Sequence, residues 1–334
     1  MLTRRNFLQA TAAAGLAAPF IGKAHASSKT LKLSTVFPKG HYSADDMANF
    51  ASKVEEATGG EIKIRLFAAS ELGDYTTVYE EVRRGSIDMA LQNVPSQFDP
   101  RVEIATLNYA VMNIDEARKL MGPSGFITRK MGEFNGAVGV KMLGGSYALG
   151  FGGLGLMKKP GDLHTPGTPK DILLRVPPYD TFQAAMGSVG FQTVTVPYAD
   201  LFTALQTGVA DGWAGGGAEV NYSAFSDVIK FYVPINNYFE TYNFLMNADA
   251  FAGLSAEHQA LFEKLASEIT DNSLAQADKI EKEHQKKLAD KGIEVVPFGD
   301  DHLKAWAEHV RKNSWAASEA KIGAELIAEL KAQY

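Results

Sequence analysis

The chain has 334 residues, 46% hydrophobic and 22% charged, with 31 glycines, 13 prolines and no cysteine. That length leaves room for two lobes at roughly 100–200 residues per domain, and the composition excludes collagen-like, coiled-coil and disordered classes. The absence of Cys excludes disulfides, zinc-thiolate and iron–sulfur sites and a Cys nucleophile. A net charge of −6 argues against a nucleic-acid footprint.

The first segment speaks to compartment. Thr3-Arg4-Arg5-Asn6-Phe7-Leu8-Gln9 is a twin-arginine pattern, followed by an apolar stretch from Ala10 to Ile21. That stretch is shorter than the roughly 20 residues of a spanning helix. Ala24-His25-Ala26 is a small-x-small cleavage site. Residues 1–26 are therefore expected to be a Tat-type export signal, with the mature protein in the periplasm. Cleavage would leave 334 − 26 = 308 residues and a charge of 30 − 39 = −9, because Arg4, Arg5 and Lys23 are lost with no acid. No later window is long and apolar enough to insert in a membrane directly.

The elements of the mature chain follow a rhythm. Leu31–Phe37 reads as a strand. Asp45–Ala57 reads as a helix with Met47, Phe50, Ala51 and Val54 on one face, stopped by Gly59-Gly60. Residues 61–67 alternate with period two, as a half-buried strand does. Tyr75–Arg84 is a helix ended by Gly85, and Asp88–Leu91 is a strand. This β-α-β-α-β order predicts an α/β lobe with a mainly parallel sheet. Strands are expected at 138–143, 173–176, 210–213, 243–246 and 293–298, and helices at 180–186 and 200–207. From Ala256 to Ala289 the pattern is helical without Pro or Gly. Such a helix is about 50 Å long, enough to cross two lobes. Residues from His302 onward are helical to the end.

Several motifs can be rejected. Gly150-Phe151-Gly152-Gly153-Leu154-Gly155 matches the dinucleotide pattern, but Pro160 soon follows and no helix opens there. Gly144-Gly145-Ser146-Tyr147-Ala148 lacks the last Gly of a nucleophile elbow. His302 and His309 share a helix face without a fitting third ligand, so they read as surface histidines. No cofactor site, metal site or catalytic constellation emerges, and an enzyme is not expected.

Arg175 stands apart. It sits within the short apolar strand Leu174-Arg175-Val176, followed by Pro177-Pro178. A buried guanidinium requires an anionic partner, and its planar fork suits a carboxylate. The bland alternative is an ion pair with an Asp or Glu of the protein itself. About 20 residues later comes Val196-Pro197-Tyr198-Ala199-Asp200-Leu201-Phe202-Thr203-Ala204-Leu205-Gln206-Thr207-Gly208-Val209-Ala210-Asp211-Gly212. Upstream lie Glu55-Glu56-Ala57-Thr58-Gly59-Gly60-Glu61-Ile62, Glu71-Leu72-Gly73, Gly85-Ser86-Ile87-Asp88-Met89 and Phe98-Asp99-Pro100-Arg101. In this order, over roughly residues 30–300, these segments resemble the DctP-like solute-binding proteins of TRAP (tripartite ATP-independent periplasmic) transporters.

The resemblance implies a two-lobed α/β periplasmic-binding-protein fold with a hinge, a ligand cleft between the lobes and a long helix spanning both. The first lobe is expected to comprise 27–152 plus about 239–280, and the second 153–238 plus about 281–334. The implied function is an extracytoplasmic receptor that captures a small organic carboxylate by lobe closure and delivers it to TRAP permease subunits. Competing readings are a binding protein for an ABC importer, a partner of a membrane sensor, or an exported enzyme.

Arg175 matches the family's carboxylate-binding Arg. Further candidates follow strand ends, where open α/β sheets bind ligands. They are His41 and Tyr42, Gln92, Asn93 and Ser96, Tyr147, Tyr179 and Trp213. Glu219, Asn221, Tyr222, Asn237 and Glu240 are candidates to hydrogen-bond a hydroxyl or amine. Three departures matter. Gly152 stands where the family often has a second Arg, and Gly215 where it often has Asn. Gly150 replaces the Gln that holds a metal in the keto-acid branch, leaving only Glu240 of that set. Gly215-Gly216-Gly217 would either make room for the ligand or form a turn needing positive φ.

Overall fold

The computed structural model describes residues 28–334, so the expected export segment at 1–26 lies outside the described residues. The chain first builds β1 (Lys29–Thr35), α1 (Tyr42–Ala57), β2 (Ile62–Phe67), α2 (Tyr75–Arg84) and β3 (Met89–Gln92). A 3-10 helix over Pro100–Thr106 leads to α3 (Ile114–Met121), α4 (Phe126–Ala137) and β4 (Val140–Phe151). Next come β5 (Gly153–Leu156), β6 (Leu173–Val176), α5 (Asp180–Ser188), β7 (Gln192–Thr195) and α6 (Leu201–Gln206). They are followed by β8 (Gly212–Gly215), α7 (Ala218–Phe225), β9 (Phe231–Val233), β10 (Phe239–Asn247) and α8 (Ala248–Ala252). The chain closes with α9 (Ala256–Asp290), β11 (Glu294–Val295), α10 (Asp300–Ile322) and α11 (Ala324–Lys331).

Two sheets result, one per lobe. The first has strand order β2-β1-β3-β10-β4, the second β11-β9-β5-β8-β6-β7. β1, β2 and β3 pair in parallel, as their helical crossovers require, whereas β10 runs antiparallel to both β3 and β4. The chain leaves the first sheet at the end of β4 and enters the second with β5. It returns between β9 and β10.

Local chemistry accounts for the element ends. His41 caps α1 by accepting from the Ser43 amide at 3.1 Å, and Ala44, Met47, Phe50 and Val54 bury one stripe. Asp74 caps α2 through the Thr76 amide, and Gly85 ends it in the left-handed region at φ 77. Ser255 caps α9.

β4 is longer than the expected strand at 138–143, and it runs straight through Gly144-Gly145. It is an edge strand, and α9 covers that edge. Glu263 Oε2 accepts from the Gly144 amide at 3.0 Å, Thr270 Oγ1 from Gly145 at 3.2 Å and Ser273 Oγ from Ala148 at 2.8 Å. Side chains of the long helix thereby satisfy amides that no strand pairs, which closes the sheet to further strand addition.

The long helix buries residues such as Phe262, Ala266, Ile269, Ser273 and Ala277 at helical spacing. α10 also joins the lobes. Trp306 and Val310 pack in the second lobe's core, whereas Trp315 and Ile322 pack in the first lobe's, together with Leu326, Ile327 and Leu330 of α11. Residues from Trp315 onward therefore do not stay with the second lobe, where 281–334 had been expected. A helix of 23 residues is about 35 Å long, so its apolar stripe carries from one core to the next. The expected strand at 293–298 forms pairs only at Glu294–Val295. Of the two histidines expected on the surface, His302 packs beside His164, and His309 Nε2 meets the Ser188 carbonyl at 2.8 Å.

The lobes are closed on one another. One apolar cluster runs from Leu33, Phe37 and Phe50 of the first lobe to Leu201, Trp213 and Phe225 of the second. Hydrogen bonds cross the same boundary. Tyr179 Oη donates to the Val94 carbonyl at 3.1 Å, and Glu103 accepts from the Thr181 amide at 3.0 Å at the start of α5.

Candidate ligand-binding site

The closed lobes enclose a cavity of about 40 Å³ lined by Arg175, Tyr75, Tyr179, Tyr198, Trp213 and Glu240, among others. Water needs only about 10–15 Å³ by this measure, so the space holds a few waters or a small solute.

Arg175 and Trp213 are direct partners in the parallel β6–β8 ladder, so their side chains emerge on one face. Arg175 is 2% exposed. Its Nε donates to the Val196 carbonyl at 2.9 Å, and its buried Nη2 has no partner. No ion pair involves Arg175 among the described residues, so the alternative of a structural partner from Asp or Glu is not what the geometry shows. Burial lowers its pKa from the ordinary value, although a guanidinium keeps its charge in proteins. The Tyr75 hydroxyl is likewise buried without a partner and lines the same cavity. Two donors are thus left unsatisfied around one space, a costly arrangement unless a ligand supplies the acceptors.

Glu240 lines the cavity from β10, with Tyr238 and Tyr242 flanking it two residues away on either side. Burial pushes its pKa up to about 7, opposed by Tyr238 and Arg175 and reinforced by Glu219. Its folded-state pKa lies above the unfolded value, so the folded state binds more protons and stability falls as pH rises from about 4.5 to about 7. Glu240→Gln removes that cost. Its melting temperature relative to the unmodified protein is expected to rise between pH 5 and pH 8. A difference that stays constant across this range would contradict the buried-carboxyl assignment.

A chamber of about 10 Å³ adjoins the cavity, lined by Phe37, His41, Tyr42, Leu149, Gly217, Glu219, Val220 and Glu240. His41 Nε2 pairs with Glu219 across the two lobes, and the His41 ring stacks on Phe37 at 3.9 Å. Glu219 belongs to α7, whose first amide, that of Ala218, donates to Glu281 of the long helix at 2.8 Å. Glu281 also accepts from Tyr232 Oη at 2.8 Å, so the spine helix sets the position of the cleft-facing helix.

The glycines answer to close approach and not to backbone sign. None of Gly215, Gly216 and Gly217 has positive φ. A Cβ on Gly215 would lie 2.1 Å from the Trp213 ring, and one on Gly216 would meet Val220 at 2.1 Å and Glu240 at 3.0 Å. Gly155 leaves room for Trp213 Nε1 to donate to Asn221 Oδ1 at 3.0 Å.

Of the expected site residues, Arg175, Trp213, Tyr179, Asn93 and Glu240 line the main cavity, and His41 and Glu219 line the adjoining chamber. Two do neither. Tyr147 lies within β4, fully buried, and donates to Asp46 at 2.7 Å. Asn237 sits in the return crossing and donates to Asn108 Oδ1 at 2.8 Å, which makes it a hinge contact. Tyr75, Tyr198, Tyr238 and Tyr242 escaped the sequence reading. A signal existed for two of them, since 238, 240 and 242 alternate with period two and share a face in a strand.

The fold and the enclosed, cation-bearing cleft define a two-lobed solute-binding protein. The family model "Bacterial extracellular solute-binding protein, family 7" matches residues 33–320, and the chain belongs to that family, the solute receptors of TRAP transporters. Among its relatives, the C4-dicarboxylate-binding periplasmic protein DctP of Rhodobacter capsulatus is 23% identical over 99% of both chains. A TRAP periplasmic solute binding protein from Desulfovibrio salexigens, solved with bound orotic acid, superposes with a TM-score of 0.82 at 20% identity. It covers 91% of this chain and 98% of its own. One from Polaromonas sp. JS666, bound to D-erythronate, gives 0.81 at 23% identity over 91% and 99%. Among the described residues no helix is long and apolar enough to cross a membrane.

Proposed function

We propose that the chain captures a small organic carboxylate at Arg175 and presents it to its TRAP permease. The observation that carries this is the pair of buried, unpartnered donors, Arg175 Nη2 and Tyr75 Oη, on one cavity. A carboxylate offers oxygen acceptors to both donors at once. Solved relatives whose bound molecules are orotic acid and D-erythronate support the same class of ligand. Tyr179, Trp213, Tyr198 and Asn93 would contact the body of the ligand. Because the cavity is nearly closed, entry requires the lobes to part at the crossings between β4 and β5 and between β9 and β10.

A thermal-shift screen against organic acids, sugar acids, amino acids and sulfonates tests this reading. A ligand at 100 times its dissociation constant adds about 2.7 kcal/mol, a shift of several degrees for a chain of this size. Stabilisation by sugars alone, with none from any carboxylate, would overturn it.

The localisation proposed is the periplasm, reached by the Tat route. The support is Arg4-Arg5 followed by an apolar stretch and Ala24-His25-Ala26. Replacing both arginines by lysine is expected to leave the precursor uncleaved in the cytoplasm, and normal export of that variant would refute the route.

A further inference from the structure

The cleft is electrically lopsided. Arg175 is the only Lys or Arg that lines the cavity among the described residues. The same space is lined by Glu240, which comes from the other lobe's sheet, makes no ion pair among the described residues and is 7% exposed. It stands where the main cavity meets the adjoining chamber. Glu219 lies in that chamber, and the one cationic candidate nearby, His41, is already engaged with Glu219. The Tyr42 side chain there feels Glu219, Glu240, Asp46 and Glu281 together, and its pKa rises well above the ordinary value through burial and those four charges. A ligand held by its carboxylate at Arg175 therefore shares its surroundings with carboxylate acceptors and negative charge.

Resting on the carboxylate reading above, we infer that Glu240 is a specificity-determining residue. It selects a monocarboxylate that carries a hydroxyl or ammonium donor away from the carboxylate, and it rejects dicarboxylates. A donor hydrogen-bonds to the Glu240 carboxylate. With Glu240 ionised, a second carboxylate places like charges together in a buried site, which costs far more than the same contact in solvent. A methyl end offers Glu240 no hydrogen bond in return for its loss of water. The side chain at 240 thus separates this cleft from one built for a diacid, although both would anchor a carboxylate on the same Arg.

The test uses four- and six-carbon acids whose far end alone varies. Butanoate, 4-hydroxybutanoate, 4-aminobutanoate and succinate form one series. Hexanoate, 6-hydroxyhexanoate, 6-aminohexanoate and adipate form the other, with D-gluconate against D-glucarate as the polyol pair. Affinities are measured calorimetrically at about pH 8.5, where Glu240 is ionised, for the unmodified protein and for Glu240→Gln, with the melting temperature as the check of folding. Within the best-bound series, the hydroxyl or ammonium acid is expected to bind at least tenfold tighter than its diacid. In Glu240→Gln that ratio is expected to shrink at least tenfold, chiefly through tighter diacid binding. A diacid that binds as well as its donor-bearing partner would overturn the inference and leave the carboxylate anchor standing. So would a preference that survives in Glu240→Gln. Binding by none of these acids would overturn the anchor and this inference with it. Should Glu240→Gln fail to fold, the ratio in the unmodified protein still decides.

Discussion

Replacing Arg175 by methionine is expected to abolish ligand-induced stabilisation while leaving the unliganded protein folded. The guanidinium is buried, pairs with one carbonyl and has no carboxylate partner in the protein. Removing one member of a buried, hydrogen-bonded charge pair costs about 2–5 kcal/mol of binding, or roughly 30-fold to several thousand-fold in affinity. The same change relieves the free protein of an uncompensated buried cation, so its melting temperature is expected to hold or rise. Calorimetric titration with the best carboxylate found, together with the two melting curves, measures both halves. Affinity within threefold of the unmodified protein would remove Arg175 from the anchor role. A collapsed melting curve without ligand would instead show that the guanidinium holds the lobe together.

A large loss of stability is expected at Gly144. It adopts φ +59, and a Cβ there would stand 2.7 Å from the backbone of Ala266 and Ser267 in the long helix. A left-handed L-residue costs roughly 1–2 kcal/mol, and overpacking adds about 1–3 kcal/mol. Gly144→Ala is therefore expected to destabilise by about 3 kcal/mol and lower the melting temperature by roughly 6–12 °C. Gly139→Ala is the control, because its φ is +80 but nothing lies within 4 Å of the added carbon. Equal losses in the two variants would show that backbone sign alone matters and that the seat of the helix does not.

The two variants lie on opposite sides of what the primary structure reveals. Arg175 was legible because a charged residue inside a short apolar strand is a local anomaly that asks for a partner. The first β-α-β-α-β run and the long helix were legible because their periods are local too. Gly85 announced the end of α2 for the same reason. Gly144-Gly145 looked like the end of a strand, whereas the chain continues as β4 through Phe151. The reason lies about 120 residues away, in a helix that needs to approach the backbone and feeds hydrogen bonds to it.

The site divides in the same way. Local pattern pointed to Arg175, Trp213 and Glu240 one at a time. Their convergence depends on parallel register between β6 and β8 and on the return of β10 beside β4. Tyr147 and Asn237 had suitable chemistry and suitable positions in the chain, but packing spent one on Asp46 and the other on Asn108. By itself, the sequence determined the class of fold, the family and the presence of a charged residue inside an apolar strand, because periodicity, caps and ordered motifs are properties of neighbouring residues. Only the tertiary structure decided which side chains share the cavity, which donors are left without acceptors, and that Glu240 lines the same cavity as Arg175. Those facts arise from contacts between segments far apart in the chain, where the identity of one residue carries no record of its partner.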